Sequence, residues 1–172
     1  KKFELCYQLP DTSPEQWLAP QLLPISKPTQ FDNWAQPSDL VVRFRYQFLP
    51  RGLISRLMVR QHRFVKQLDW SWRYGAFFEH NGTAVLVEET IRGNEIEFRA
   101  RGPERKELLS LLAGDLEALN DSFEGLKGRV DKLVPCICKV CSQTTEPEMY
   151  EQEQLIGRRD AQINSLPGEQ SS

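Results

Sequence analysis

The sequence has little excess charge of either sign and no long apolar run. Its 172 residues carry 22 basic and 24 acidic side chains, which gives a formal net charge of −2. This balance removes the overall positive field that nucleic-acid-binding domains usually carry. No apolar segment approaches the roughly 20 residues that a membrane-spanning helix needs. The sequence therefore predicts no membrane partner.

Motifs for phosphate binding and catalysis are also missing. The ten glycines are scattered over predicted turns, and no GxxxxGK[ST] motif is present, so the chain by itself lacks the loop that cradles a nucleoside triphosphate. The two histidines, His62 and His80, accompany no serine or cysteine in a recognisable nucleophile motif. We predict a domain that is not an enzyme and that requires no cofactor of its own.

Prolines divide the chain into three predicted parts. Residues 1–8 alternate apolar and polar side chains, as a strand does. Residues 9–38 hold six of the eleven prolines, a density that prevents a long helix and indicates an extended connector lying along a surface. We predict that residues 1–37 are the end of a preceding subdomain with this connector, residues 38–135 an α+β core, and residues 136–172 a cysteine-containing tail.

The core is predicted to be an α+β fold. "LVVRFRYQF", from Leu40, alternates as a half-buried strand. After Pro50 and Gly52 break the chain, apolar residues at helical spacing predict a helix over residues 51–68. Three strands follow as a meander with one face exposed to water, and Asn81–Gly82 predicts a tight type I′ turn. "ELLSLLAGDLEALNDSF" predicts a second helix, so we expect an antiparallel sheet (strand, helix, three-strand meander, helix) with both helices on one face.

Three of the four cysteines lie in "PCICKVC", where Cys136, Cys138 and Cys141 have C-x-C-x2-C spacing. This clustering is unlike the dispersed cysteines of a secreted disulfide scaffold and predicts a reducing, cytoplasmic location. Three thiolates could hold a structural Zn²⁺, which takes four tetrahedral ligands. Ordinary reduced thiols, or a thiol nucleophile in an enzyme fragment, are the alternatives. The candidates for the fourth ligand are Cys6, His62, His80, Asp131, Glu146 and a water molecule.

Arginines are concentrated on the predicted helix over residues 51–68. Arg56, Arg60 and Arg63 lie on the face opposite its apolar side. Such a face could neutralise phosphates, so a nucleic-acid-binding module with an arginine-rich helix and a zinc knuckle is one possible function. The slightly acidic chain and the lack of interleaved aromatic rings favour instead a protein interface or internal ion pairs, because arginine pairs well with carboxylates.

Several segments together resemble the COR domain of Roco proteins, where COR stands for C-terminal of Roc and Roc is a Ras-like GTPase domain. The resemblance runs from about residue 3 to about residue 155, and from about residue 38 it is to the C-terminal COR subdomain. Its most specific part is the combination of "LPRGLISRLMVRQH" and "WRYG". The other segments are "FELCYQLPD", "TAVLVEE", "RARGPERKELLSLLAGDLEALNDSF" and "DKLVPCIC". The cysteine tail is similar to that of a bacterial subset in which a further cysteine follows, whereas this chain has Asn164 and Ser165 in that stretch.

The resemblance implies a non-catalytic module of a larger protein that carries a Roc GTPase domain and often leucine-rich repeats. In that family the C-terminal COR subdomain is a main homodimerisation device, and dimer formation is coupled to the nucleotide cycle of Roc. The expected partners are a second copy of the chain and the attached Roc domain, with GTP or GDP bound only in Roc. We expect the interface on helix 51–68 and on the hairpin over residues 72–90. Its candidate residues are Arg56, Arg60, Arg63, Trp72 and Tyr74.

Overall fold

A six-stranded antiparallel sheet forms the centre of the chain. The computed structural model describes residues 7–8, 13–90 and 94–156. Its strands are β1 (Tyr7–Gln8), β2 (Trp17–Leu18), β3 (Leu40–Tyr46), β4 (Gly75–His80), β5 (Thr83–Glu89), β6 (Glu95–Arg101), β7 (Val130–Pro135) and β8 (Met149–Glu151), and the helices α1 (Leu53–Arg60) and α2 (Arg105–Asp121) follow β3 and β6. β1 pairs with β2, and the main sheet has the order β4-β5-β6-β3-β7-β8. Within the described ranges, no helix combines the length and apolar character that crossing a membrane requires.

The predicted α+β class is confirmed, although the predicted element order is incomplete, because β7 and β8 extend the sheet after α2. β3 lies between β6 and β7, and all neighbouring strands are antiparallel. The main core lies between one face of the sheet and both helices. Phe44, Phe78 and Phe98 contribute to it from the sheet, and Leu57 and Leu112 from the helices, all of them 0–1% exposed. Burial of this apolar area is the main source of stability in such a fold.

The hairpin between β4 and β5 has the predicted turn. Asn81 and Gly82 adopt φ values of 48° and 74°, which is the left-handed region that both central residues of a type I′ turn require. Glycine reaches this region without steric cost, and asparagine tolerates it better than most other residues. The turn fixes the register in which Phe78 faces Val85.

The helix predicted over residues 51–68 is shorter in the structure. α1 ends at Arg60 because Gln61 leaves the helical region, with φ −116° and ψ 34°. The Gln61 side-chain amide donates a hydrogen bond to Asp115 on α2 instead. A 3₁₀ turn at His62–Phe64 then buries Phe64. Apolar spacing did not reveal this end, since a short turn buries the same residues that a longer helix would.

The second face of the sheet is covered, so the prediction of a water-exposed face is wrong for much of its area. On β4 and β5, Phe77 and Leu86 pack under Phe31 of the proline-rich connector and under Trp72. The rings of Phe31 and Phe77 stack with centroids 5.1 Å apart. The connector therefore lies along the sheet, as its apolar residues predict.

Ion pairing also fixes the connector to the sheet. Arg101 on β6 donates two hydrogen bonds of 2.9 Å to the carboxylate of Asp39, whose side chain is fully buried. The Arg101 guanidinium also lies 3.7 Å from the centroid of the Trp34 ring. A bidentate arginine pair combined with ring stacking holds the chain in one geometry.

The cysteine-containing segment rejoins the sheet, which the sequence analysis did not predict. β7 and β8 pair through Leu133–Glu151, Val134–Tyr150 and Pro135–Met149. A short helix follows β8 at residues 152–156, after the segment that pairs with β7. Residues 1–6 of the predicted first strand, with Cys6, and residues 157–172 lie outside the described residues. The three-part domain division stays a prediction.

Gly75→Ala is expected to destabilise the fold by about 1–3 kcal/mol, the usual cost of overpacking a core. A Cβ atom at Gly75 would lie 2.0 Å from Cζ2 of the Trp72 indole. Gly114→Ala is the control, because a Cβ atom there meets nothing within 4 Å and alanine favours a helix interior by about 1 kcal/mol. Chemical denaturation should show a loss for the first variant and a gain for the second, and equal stabilities would contradict the packing.

Candidate protein interface and cysteine cluster

A partly buried network of two arginines and two glutamates lies on the outer sheet face. Arg43 on β3 donates hydrogen bonds to Glu97 (2.6 Å) and Glu146 (2.7 Å). Arg99 on β6 donates to Glu97 and, over 3.1 Å, to Glu146. The Arg99 and Glu97 side chains are only 4% and 8% exposed. Glu146 is 65% exposed, so the buried part of the network is Glu97 with its two arginines, and Glu146 supplies the second negative charge from the surface.

The network explains how the loop after β7 is held. Burial opposes the charge on Arg43, but the carboxylates of Glu97 and Glu146 more than offset this and raise the pKa of its guanidinium. Glu146 belongs to the loop that joins β7 to β8, whereas its partners lie on β3 and β6. The loop is therefore attached to the sheet by charge as well as by the β7–β8 pairing.

The three cysteines of the motif meet in this loop. The Sγ atoms of Cys136, Cys138 and Cys141 all lie within 4.8 Å of one another. The Cys141 backbone N–H donates to Cys138 Sγ over 3.5 Å, and the Cys136 N–H donates to the Glu148 carbonyl over 2.7 Å. The arrangement brings together three soft ligands of the kind that Zn²⁺ prefers.

Local hydrogen bonds favour a thiolate in the cluster. The Cys141 backbone N–H, together with the thiols of Cys136 and Cys141, lowers the pKa of Cys138 to about 7. The thiolate is the form of cysteine that binds metals and that acts as a nucleophile. Cys138 is exposed, and the other two thiols are half-buried, so a metal ion from solvent can reach all three from one side.

A basic groove of about 770 Å³ lies at the start of α1 and extends to the segment before β4. Arg51, Arg56 and Arg73 line it, together with Tyr74 and the apolar side chain of Leu119. These three arginines form no ion pair with any described residue. Their charges are therefore available to a carboxylate from outside the chain.

An acidic groove of about 630 Å³ adjoins the basic one. Its lining includes five carboxylates against two basic groups, Lys27 and Arg43. Tyr74 and Glu89 line both grooves. The acidic residues of this groove are Glu88, Glu89, Glu95, Glu97 and Glu146.

Within this acidic groove Glu89 is the least compensated carboxylate. Glu88 pairs with Lys27 at 2.7 Å and Glu95 pairs with Arg45 at 3.0 Å. Glu89 has no ion-pair partner among the described residues, and burial raises its pKa. A nearby cation from another molecule would favour its charged form.

The chain matches the protein family described as "C-terminal of Roc, COR-B domain" over residues 38–171, which is most of its length. The match begins just before β3 and extends through the whole main sheet. This chain belongs to the COR-B family. The resemblance to the C-terminal COR subdomain of Roco proteins is thereby confirmed.

Two relatives from Dictyostelium discoideum agree with this assignment. "Probable serine/threonine-protein kinase pats1" is 29% identical over 136 residues, which is 72% of this chain and 4% of that protein. "Probable serine/threonine-protein kinase roco5" is 30% identical over 99 residues, which is 58% of this chain and 3% of that protein. The COR-B chain therefore spans a very small part of these relatives. The similarity of its cysteine tail to a bacterial subset stays a prediction.

The structure brings two of the five predicted interface residues of the COR-B domain together. Arg56 and Tyr74 line the basic groove, and Tyr74 is 42% exposed. The Arg56 guanidinium also lies 4.8 Å from the centroid of the Phe123 ring, just after the end of α2. An exposed tyrosine beside arginines is a composition enriched at protein interfaces.

The other three predicted residues do not line this groove. Arg60 lies 3.5 Å from the carboxylate of Asp115. Arg63 donates a hydrogen bond to Gln61. Trp72 is 3% exposed and belongs to the outer apolar cluster, so it supports the surface from beneath. Their interface roles stay predictions.

Sequence reasoning missed Arg73 and Glu89 as groove residues of the COR-B domain. A usable signal was present in "WRYG". Trp72 and Gly75 pack against each other at the start of β4, so the two residues between them are directed outward. The second signal is the register of the β4–β5 hairpin, which places Glu89 next to Tyr74. The Glu89 N–H donates a hydrogen bond to the Tyr74 carbonyl over 2.9 Å.

The other proposed zinc ligands among the described residues have different partners. His62 Nδ1 lies 2.8 Å from the Val59 carbonyl oxygen, and the His80 ring packs against Phe64. Glu146 binds Arg43 and Arg99, and Asp131 lies on β7 opposite Arg45. None of these residues joins the cysteine cluster within the described part of the chain.

Glu97→Gln is expected to destabilise the COR-B domain by about 3–5 kcal/mol, because it leaves the Arg43 and Arg99 guanidinium groups with only the Glu146 carboxylate, which is 65% exposed. Glu95→Gln, two residues earlier on β6, is the control. Its partner Arg45 is 50% exposed, and such a pair contributes about 0–1 kcal/mol. Urea denaturation of both variants at neutral pH measures the difference. A similar small loss in both would show that the network does not support the fold.

Proposed function

We propose that this COR-B domain is a non-catalytic homodimerisation module that couples two Roc GTPase domains in a larger Roco protein. The observation that carries the proposal is the adjoining pair of grooves of opposite charge, with Tyr74 between them. One surface thus carries unpaired arginines next to the unpaired carboxylate of Glu89. A second copy of the same surface would supply a carboxylate for the arginines and arginines for the carboxylate.

The symmetry of a dimer favours such a surface. In a two-fold interface both copies use the same patch. If a residue of one copy contacts a different residue of the other copy, the symmetry-related contact also forms. A two-fold axis near Tyr74 would place the basic groove of each copy against the acidic groove of the other. Charge complementarity of this kind gives specificity and orients the encounter of the two copies.

Two observations support coupling to the nucleotide cycle of an attached Roc domain. The name of the COR-B family, C-terminal of Roc, associates it with Roc, and the curated relatives are far longer than this chain. In the proposal, GTP or GDP binds only in the attached Roc domain, within the cytoplasm. The COR-B pair then holds two Roc domains at a fixed separation and contributes no chemistry itself.

A nucleic-acid-binding function is not favoured. Arg60 of the predicted arginine-rich face pairs with a carboxylate of the same chain, and so do Arg43, Arg45 and Lys66. These charges are already neutralised, so few remain to replace counterions on a phosphate backbone. The uncompensated Glu89 beside the free arginines would also repel phosphates.

Charge reversal at the grooves tests the dimer. Arg73→Glu and Glu89→Arg are each expected to weaken self-association of the Roc–COR fragment by roughly 100-fold, which corresponds to about 3 kcal/mol, because like charges then face each other. An equimolar mixture of the two variants should recover association, since each copy supplies what the other lacks. Sedimentation velocity over a concentration series measures both effects.

Arg129→Glu is the matched control for this experiment, because it changes the net charge equally at an exposed position outside both grooves. It should leave self-association unchanged. A strictly monomeric wild-type fragment, or a mixture that stays as weak as its two components, would contradict this dimer.

The coupling has its own test in the GTPase reaction. The rate of GTP hydrolysis per Roc domain in the wild-type Roc–COR fragment is expected to depend on protein concentration over the range in which dimers form. Arg73→Glu should remove this dependence without changing nucleotide affinity, because the substitution lies outside Roc. If the variant is monomeric and its rate still follows the wild-type curve, dimerisation and the nucleotide cycle are not coupled.

A further inference from the structure

The loop between β7 and β8 contains the densest group of metal-binding atoms in the described part of the chain. Its three Sγ atoms lie within 4.8 Å of one another, although no covalent bond joins them. Tetrahedral zinc–thiolate bonds of about 2.3 Å place neighbouring sulfurs a little under 4 Å apart. A metal ion would therefore need only small adjustments of these side chains.

The backbone around the cluster already has the shape of a ligand-holding turn. Cys138 accepts hydrogen bonds from two following backbone N–H groups, from Cys141 to its sulfur (3.5 Å) and from Ser142 to its carbonyl (2.9 Å). N–H donation to a sulfur stabilises the thiolate as a ligand and fixes its direction. These contacts orient Cys138 and Cys141 toward the same point.

The rest of the loop has little apolar burial to keep it ordered. Ile137 and Val140, which alternate with the cysteines, are 92% and 78% exposed. Side chains that point away from the core cannot hold a turn in one conformation by packing. The loop is instead attached at its far end, where Glu146 binds Arg43 and Arg99 and the Glu148 carbonyl accepts from Cys136. A bound metal would supply the missing constraint at the near end.

We propose that Cys136, Cys138 and Cys141 bind one Zn²⁺ through three thiolates, with water as the fourth ligand, and that this ion fixes the β7–β8 loop against the sheet. Two thiolates neutralise the divalent charge and the third gives the site a net charge of −1. The exposed Cys138 side leaves space for the water. The site has a structural role, since it constrains the end of the loop nearest β7, which apolar packing does not hold.

Metal analysis of the full chain, purified under reducing conditions without chelator, tests the composition of the site. We expect about one zinc per chain in the wild type and in Lys139→Ser, a control within the same loop, and almost none in Cys138→Ser or Cys141→Ser. Replacement of zinc by Co²⁺ should produce thiolate-to-cobalt charge-transfer bands. Wild-type protein with neither zinc nor these bands on Co²⁺ addition would overturn the proposal.

Two further measurements test the fourth ligand and the structural role. Cys6→Ser should retain zinc if water completes the site, whereas loss of zinc would replace the water with the Cys6 thiolate and overturn that part of the proposal. Removal of zinc with a chelator should accelerate amide hydrogen exchange in residues 136–151 while leaving α2 as protected as before. Unchanged exchange in the loop would show that the metal does not fix it.

Discussion

The organisation of this COR-B domain depends on covering both faces of one sheet. The inner face is covered by α1 and α2 through ordinary apolar packing. The outer face carries both apolar and charged side chains, so it needs two different covers. The proline-rich connector covers Phe77 and Leu86, and the β7–β8 loop covers Arg43 and Arg99 by supplying Glu146. A buried guanidinium is tolerated only when paired, so the folding of the loop and the stability of the sheet are linked.

The proposed interface lies where these two covers end. Ile25 and Lys27 of the connector form one side of the acidic groove, and Glu146 of the loop forms another. Tyr74 lies between this groove and the basic one. The charges that remain unpaired in this region, on Arg51, Arg73 and Glu89, therefore lie together at one boundary. Among the described residues, ion pairs within the chain neutralise five other arginines. These are Arg43, Arg45, Arg60, Arg99 and Arg101.

Local signals in the sequence predicted much of the inner architecture. Asn81–Gly82 predicted the hairpin turn. Neighbouring residues also determine the apolar stripe of α2 and the alternation of β3. The burial of Glu97 and Arg99 could not be predicted in this way, because it depends on Glu146, which is distant in sequence. β8 was missed for the same reason, since only the pairing with β7 makes it a strand. The cysteine spacing predicted the cluster, whereas the grooves combine residues from separate segments and leave no contiguous pattern.

The close contact between Trp72 and Gly75 has a consequence for how COR-B domains diverge. The indole occupies the volume that a side chain at position 75 would fill, so neither position can change in size without a compensating change in the other. Arg73 and Tyr74, held between these two anchors, project outward and carry no such restriction. In the proposed dimer, exchange of these two outward residues would alter which chains recognise each other, while the scaffold beneath stays the same.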